Sequence, residues 1–206
     1  MTLARTLVVG FDLDLTLVDS ADGIVATFLA TGGEQGVDID PDAVRELIGI
    51  SLEDTVAALM PGVDIAATVT RYRELYPELG ISPTKLLPGA QNAIDAVKSR
   101  GGRAVVVSAK YTPAVHKVLD HVGLNVDDVV GDLYGEAKGA ALLERDASAH
   151  VGDHPGDMVG ARTAGATAVG VTTGSHDALA LREAGADVVL PDLLEFPFWL
   201  DDAYGA

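Results

Sequence analysis

The sequence predicts an α/β protein: a parallel sheet with helices on both faces and a helical insert after the first strand. Three observations predict it. From about residue 86 onward, short apolar runs alternate with helical stretches. Those runs ("RAVVV", "SAHVG", "TAVGV", "DVVLP") are apolar throughout, as strands buried on both faces are. Residues from about 20 to 80, by contrast, carry only the 3.6-residue period of helices.

Thr6 to Phe11 is the expected first strand. Ser20 stands where it can cap a helix that carries Ile24, Val25, Phe28 and Leu29 on one face. Asp40-Pro41 opens a second helix and Gly49 ends it. Ser51 with Asp54 reads as a capping box for a third, stopped by Pro61-Gly62. A fourth carries Ile65, Val69, Tyr72, Tyr76 and Leu79. The alternation then begins. Helices are expected over "PGAQNAIDAVKSRGG", over "TPAVHKVLDHVG" with Thr112 as cap, over "EAKGAALLERD", over "PGDMVGARTAGA" and over "DALALREAGA". Each is followed by a strand. Residues 1–18 and 84–206 thus form the expected α/β core, and residues 19–83 the insert.

Composition narrows the function. The chain has 206 residues, 48% of them hydrophobic, which suffices for one sizeable core. A net charge of −17 disfavours nucleic acid and anionic membrane as partners. No Cys is present, so thiolate metal sites and disulfides are excluded. No segment reaches the ~20 apolar residues of a membrane span, and no signal-peptide pattern opens the chain. A cytoplasmic location is the expectation, and the oligomeric state is left open.

Ligands of parallel α/β sheets bind beyond the carboxyl ends of the strands. Asp12, Asp14 and Thr16 follow the first strand. Ser108 and Lys110 follow "RAVVV"; Asp153 and Asp157 follow "SAHVG". Lys138 reaches the same edge by length: its helix descends ~11 Å and the next strand returns ~16 Å. Several carboxylates at one edge repel unless a cation joins them. Oxygen ligands without Cys or a His cluster favour Mg²⁺, which shares its shell with a phosphate. One carboxylate there suits a nucleophile, and a second, two residues on, a general acid/base. Ser and Lys suit the phosphoryl oxygens.

The order "FDLDLT", "VVVSAK", Lys138 and "HVGDHPGDM" resembles the haloacid dehalogenase superfamily of aspartate-nucleophile phosphatases. "LVDSADGI", "RELIGISLED" and the C-terminal third are similar to its phosphoglycolate-phosphatase-like branch. The resemblance implies a Rossmann-like core with an all-helical cap. It implies Asp12 as nucleophile and Mg²⁺ ligand, and Asp14 as general acid/base lending its backbone carbonyl to the metal. Asp153 would be a further ligand, supported by Asp157. Ser108, Lys138 and the Leu13 backbone N–H would bind the phosphoryl group, with Lys110 as the alternative to Lys138, and Thr16 would brace the loop. The implied activity is Mg²⁺-dependent hydrolysis of a small phosphorylated metabolite, phosphoglycolate- or sugar-phosphate-like, through a phosphoaspartate. A phosphomutase of the same superfamily, or a catalytically silent metal- or partner-binding relative, is the alternative. Leu15 stands where the family usually has Gly; because leucine is costly at positive φ, a negative φ is expected there, with the side chain packed on apolar neighbours. His154 is read as filling its loop, and His116, His121, His150 and His176 as non-ligands.

Overall fold

The structure, a computed structural model, describes residues 6–205; the first five residues of the expected core and Ala206 lie outside them. Six parallel strands form one sheet in the order β5-β4-β1-β6-β7-β8. They are β1 (Val8–Phe11), β4 (Arg103–Val107), β5 (Asp128–Val130), β6 (Ala149–Gly152), β7 (Thr167–Val171) and β8 (Val188–Leu190). The α/β fold class is as expected. β1 starts two residues later than the sequence suggests.

The two faces of the sheet follow the period of two. Val9, Phe11 and Val106 point to one side, against α5 (Ala90–Ser99), α6 (Thr112–Val122) and α10 (Phe196–Tyr204). Val8, Val105 and Val107 point to the other side, against α7 (Glu136–Glu144). There, α8 (Pro155–Ala164) and α9 (Ala178–Glu183) add Met158, Ala161 and Leu181 around Ala168. Each fully buried Val or Leu contributes about 1.5–3 kcal/mol. Helix α10 was not foreseen, although Phe196, Trp199 and Leu200 stand at helical spacing and Phe196 and Leu200 are buried. Helix α6 is capped at Tyr111 rather than Thr112; the Thr112 hydroxyl instead accepts from Gly131 N–H and donates to Asp132.

Helices α1 (Ala21–Glu34), α2 (Pro41–Glu46), α3 (Leu52–Leu59) and α4 (Ile65–Leu79) lie between two short strands, β2 (Val18–Asp19) and β3 (Lys85–Leu86). These pair antiparallel, so the chain leaves and re-enters the sheet region through one narrow ribbon. Local chemistry sets the helix starts: the side chains of Asp40, Ser51 and Asp64 accept backbone N–H groups of Asp42, Asp54 and Ala67. Ser20 departs from expectation. It precedes α1 but makes no capping bond, because its hydroxyl turns back to Asp14. No helix among the described residues is long and apolar enough to cross a membrane.

Candidate active site

The first loop carries the densest backbone bonding near the site. Asp12 N–H donates to Val151 C=O at 2.8 Å and extends the β1–β6 ladder by one residue, which aims its carboxylate out of the sheet end. The Leu13 carbonyl then accepts from Thr16, Leu17 and Val18. The Leu13 side chain is fully buried in the core. Leu15, expected at negative φ, has φ 56°. The left-handed conformation costs a leucine roughly 1–2 kcal/mol. Its N–H donates to Val18 C=O, and its carbonyl accepts from the Thr173 hydroxyl. Several such bonds, at about 0.5–1.5 kcal/mol each, offset the strain. The side chain does pack against the core.

Three carboxylates meet below this loop. Oxygens of Asp12, Asp153 and Asp157 lie within 4.8 Å of one another, all buried. Lys138, from the first turn of α7 and also buried, sits between two of them: its Nζ is 2.6 Å from Asp157 Oδ1 and 3.1 Å from Asp12 Oδ1. The contact with Asp12 is an ion pair without hydrogen-bond alignment, so Asp12 Oδ1 keeps no hydrogen-bond donor. Thr16 Oγ1 donates to Asp153 Oδ1 at 2.8 Å. Asp157 is fully engaged. Its Oδ1 also meets His150 Nε2 at 3.1 Å, and its Oδ2 accepts from His154 N–H.

Electrostatics separates the three acids. Burial pushes the Asp12 carboxyl up to about 6; Lys138 pulls it back, while Asp157 and Asp14 push it further. Burial, with the charges of Asp12 and Asp157, holds Asp153 well above the usual range. Asp157 is also buried, yet Lys138 and His150 outweigh that cost and hold it well below the usual range. With all three acids ionised and Lys138 protonated, the cluster carries two uncompensated negative charges. A divalent cation fits that deficit and the all-oxygen donor set. Two glycines permit the packing. A Cβ at Gly174 would lie 1.9 Å from Asp153 Oδ2, and one at Gly152 would lie 2.2 Å from Asp157 Cγ.

Asp14 belongs to a different neighbourhood. Its Oδ2 pairs with Lys110 Nζ at 3.0 Å, and its Oδ1 accepts from Ser20. Burial lowers the Lys110 pKa, but Asp14 and the phenol groups of Tyr76 and Tyr72 outweigh it, and the net shift is upward. Its ammonium lies 4.4 Å from the centre of the Tyr76 ring. Ser108 is buried and its hydroxyl accepts from Lys110 N–H. Asp12, Asp14, Ser108 and Lys110 floor a cavity of about 110 Å³, and α1 to α4 roof it.

The structure therefore brings Asp12, Asp153, Asp157, Lys138 and Thr16 into one cluster, and Asp14, Ser108 and Lys110 beside it. His150 had been set aside, yet its buried ring braces Asp157; a histidine inside an apolar strand was the available signal. Gly174 lies just beyond β7, and no sequence pattern marks it out. His154 fills its loop as expected: burial lowers its pKa to about 4, and Nδ1 accepts from Gly156 N–H.

The chain is similar to known proteins over most of its length. Residues 9–171 match the family of haloacid dehalogenase-like hydrolases. The protein named "Probable phosphatase IndB" of Dickeya dadantii (strain 3937) is 31% identical over 205 residues, covering 90% of this chain and 89% of that one. The phosphoglycolate phosphatase of Caulobacter vibrioides is 30% identical over 210 residues, covering 92% and 88%. Among solved structures, a haloacid dehalogenase-like hydrolase of Streptococcus pneumoniae superposes with a TM-score of 0.84 at 25% identity, covering 95% of this chain and 98% of that one.

Proposed function

The chain belongs to the haloacid dehalogenase-like hydrolase family, and we propose that within it the chain is a Mg²⁺-dependent phosphatase of small phosphomonoesters, working through a phosphoaspartate. The observation that carries this reading is the buried Asp12 carboxylate, which lines the cavity and is flanked by Asp153, Asp157 and Lys138.

Asp12 and Asp153, with Asp157 beside them and the Asp14 carbonyl, would hold the cation. When bound, Mg²⁺ supplies charge to set against the phosphoryl oxygens. The remaining chemistry belongs to the chain. Asp12 attacks phosphorus through a carboxylate oxygen, and the alcohol departs. Lys138 keeps Asp12 ionised and oriented, while the Leu13 N–H and Ser108 meet non-bridging oxygens. Asp14 gives a proton to the leaving oxygen and then takes one from the water that cleaves the phosphoaspartate. Lys110 pairs with Asp14 Oδ2, and a phosphoryl dianion beside Ser108 would offer it a second partner. The helical residues 19–83 act in this reading as the cap that excludes water.

A panel of phosphomonoesters with and without Mg²⁺ tests it. Phosphate release should need Mg²⁺ and should fall by ~10⁴-fold or more in Asp12→Asn, as losses of catalytic nucleophiles do. Release that survives Asp12→Asn would overturn the assignment.

A further inference from the structure

Strand β6 carries a histidine in a run that is otherwise apolar. His150 is fully buried, and its partner in register on β1 is Gly10. A glycine inside a strand weakens it and often marks a close approach. Here the imidazole makes that approach. A Cβ at Gly10 would lie 2.7 Å from His150 Nδ1 and 2.5 Å from Leu142 Cδ2 of α7. Two neighbouring strands thus depart from the apolar pattern at the same level. On β1 the departure falls just before Asp12.

Bulk does not explain the histidine. Its Nε2 meets Asp157 Oδ1 at 3.1 Å, while Nδ1 has no hydrogen-bond partner. An unpaired buried polar atom is costly, and an apolar side chain at this position would avoid that cost. What an apolar side chain cannot supply is the bond to Asp157. Both oxygens of Asp157 already accept, Oδ1 from Lys138 and Oδ2 from His154 N–H. The hydrogen of the further bond therefore lies on His150 Nε2.

Asp157 Oδ1 is the shared point of a chain. On one side it holds Lys138 Nζ at 2.6 Å, and that nitrogen lies 3.1 Å from Asp12 Oδ1. On the other side it takes the imidazole. A lysine head on its flexible four-carbon stem takes its place from its partners. Without the imidazole, Oδ1 loses one of its two donors, and the carboxylate can pivot about its bond to His154 N–H. Lys138 would follow it, away from Asp12.

We propose that His150 is a positioning residue, which through Asp157 holds Lys138 against Asp12. Its consequence for rate rests on the phosphatase reading; the positioning itself does not. His150→Gln and His150→Met test it as a pair, since the two side chains have similar length and only glutamine can donate. A residue that merely fills space predicts the methionine variant to be the equal or the better of the two, because the surroundings are buried. Positioning predicts the opposite order. In Mg²⁺-free protein the Lys138 ammonium, buried between two carboxylates, should give a slowly exchanging ¹H–¹⁵N signal. His150→Met should speed its exchange about tenfold or more, and His150→Gln should recover roughly threefold or more of that loss. With Mg²⁺ and a phosphomonoester that is hydrolysed, kcat should fall about tenfold or more in His150→Met and recover in His150→Gln, with KM little changed in either. Gly10→Ala probes the same link if either variant fails to fold. Its methyl group presses on the ring and should speed the Lys138 exchange roughly threefold. Equal exchange in the glutamine and methionine variants, or in Gly10→Ala and the wild type, would overturn the proposal. The expected order of exchange with no phosphomonoester hydrolysed would leave the positioning standing and sink the phosphatase reading. Hydrolysis with equal exchange would do the reverse.

Discussion

The floor and the roof of the cavity solve opposite problems. On the floor, Asp12 joins a buried cluster with Asp153, Asp157 and Lys138, where each group constrains the others. The roof gathers Ile24, Phe28, Val44 and Ile48, which ask only to be kept from water. A buried charge tolerates few replacements, because removing one partner strands the rest. An apolar wall tolerates many of similar volume. The difference teaches which part of the cavity tolerates change: the charged side is held by mutual constraint, and the roof by volume alone.

The strongest way to break that contrast is Lys138→Met. It leaves Asp12 and Asp157 without their shared cation at full burial. Urea unfolding in the absence of Mg²⁺ should show a loss of about 3–5 kcal/mol. A loss below 1 kcal/mol would mean that the floor tolerates change as the roof does. Gly174→Ala sharpens the contrast more finely. The new methyl group would displace Asp153 Oδ2 while leaving every charge in place. Calorimetry should find Mg²⁺ binding weakened about 10–100-fold, the scale on which misplaced ligand supports act. Unchanged affinity would remove Asp153 from the metal site.

The smallest expected effect lies between floor and roof. Leu15→Gly relieves the left-handed strain but loses part of an apolar contact, so denaturation should shift stability by no more than about 1 kcal/mol. Leu13→Ala, two residues away and fully buried, should cost about 2–5 kcal/mol. Equal effects would mean that Leu15 is held by packing rather than tolerated by its turn.

These residues also show what was legible in advance. Asp12, Asp14, Ser108 and Asp153 stand directly after apolar strands, and a parallel sheet forces such positions to one edge. Lys138 followed from the matched lengths of a helix and a strand. Leu15 misled because propensity argues from the residue alone. Here the bonds of the Leu13 carbonyl, of Leu15 N–H and of Thr173 override it. Thr173 is distant in sequence, and no local pattern announces it. The pairing of Arg73 with Asp132 was hidden for the same reason, since it joins α4 to the loop after β5. Contacts between the roof and the sheet depend on how two units lean together, and periodicity carries no information on that.

The ribbon of β2 and β3 has a consequence for how such a protein can change over time. Asp19 pairs with Lys85, and Leu87 N–H reaches Leu17 C=O, so the two ends of residues 20–84 are fastened beside the loop that carries Asp12 and Asp14. Once the ends are fastened, the entropy of closing the excursion grows only slowly, by about 0.6 kcal/mol for each doubling of its length. Helices could be lengthened, shortened or exchanged beyond the ribbon while the strand ends below keep their spacing. The stitch makes the roof a replaceable part, one that a lineage could rebuild while the strand ends beneath it stay as they are.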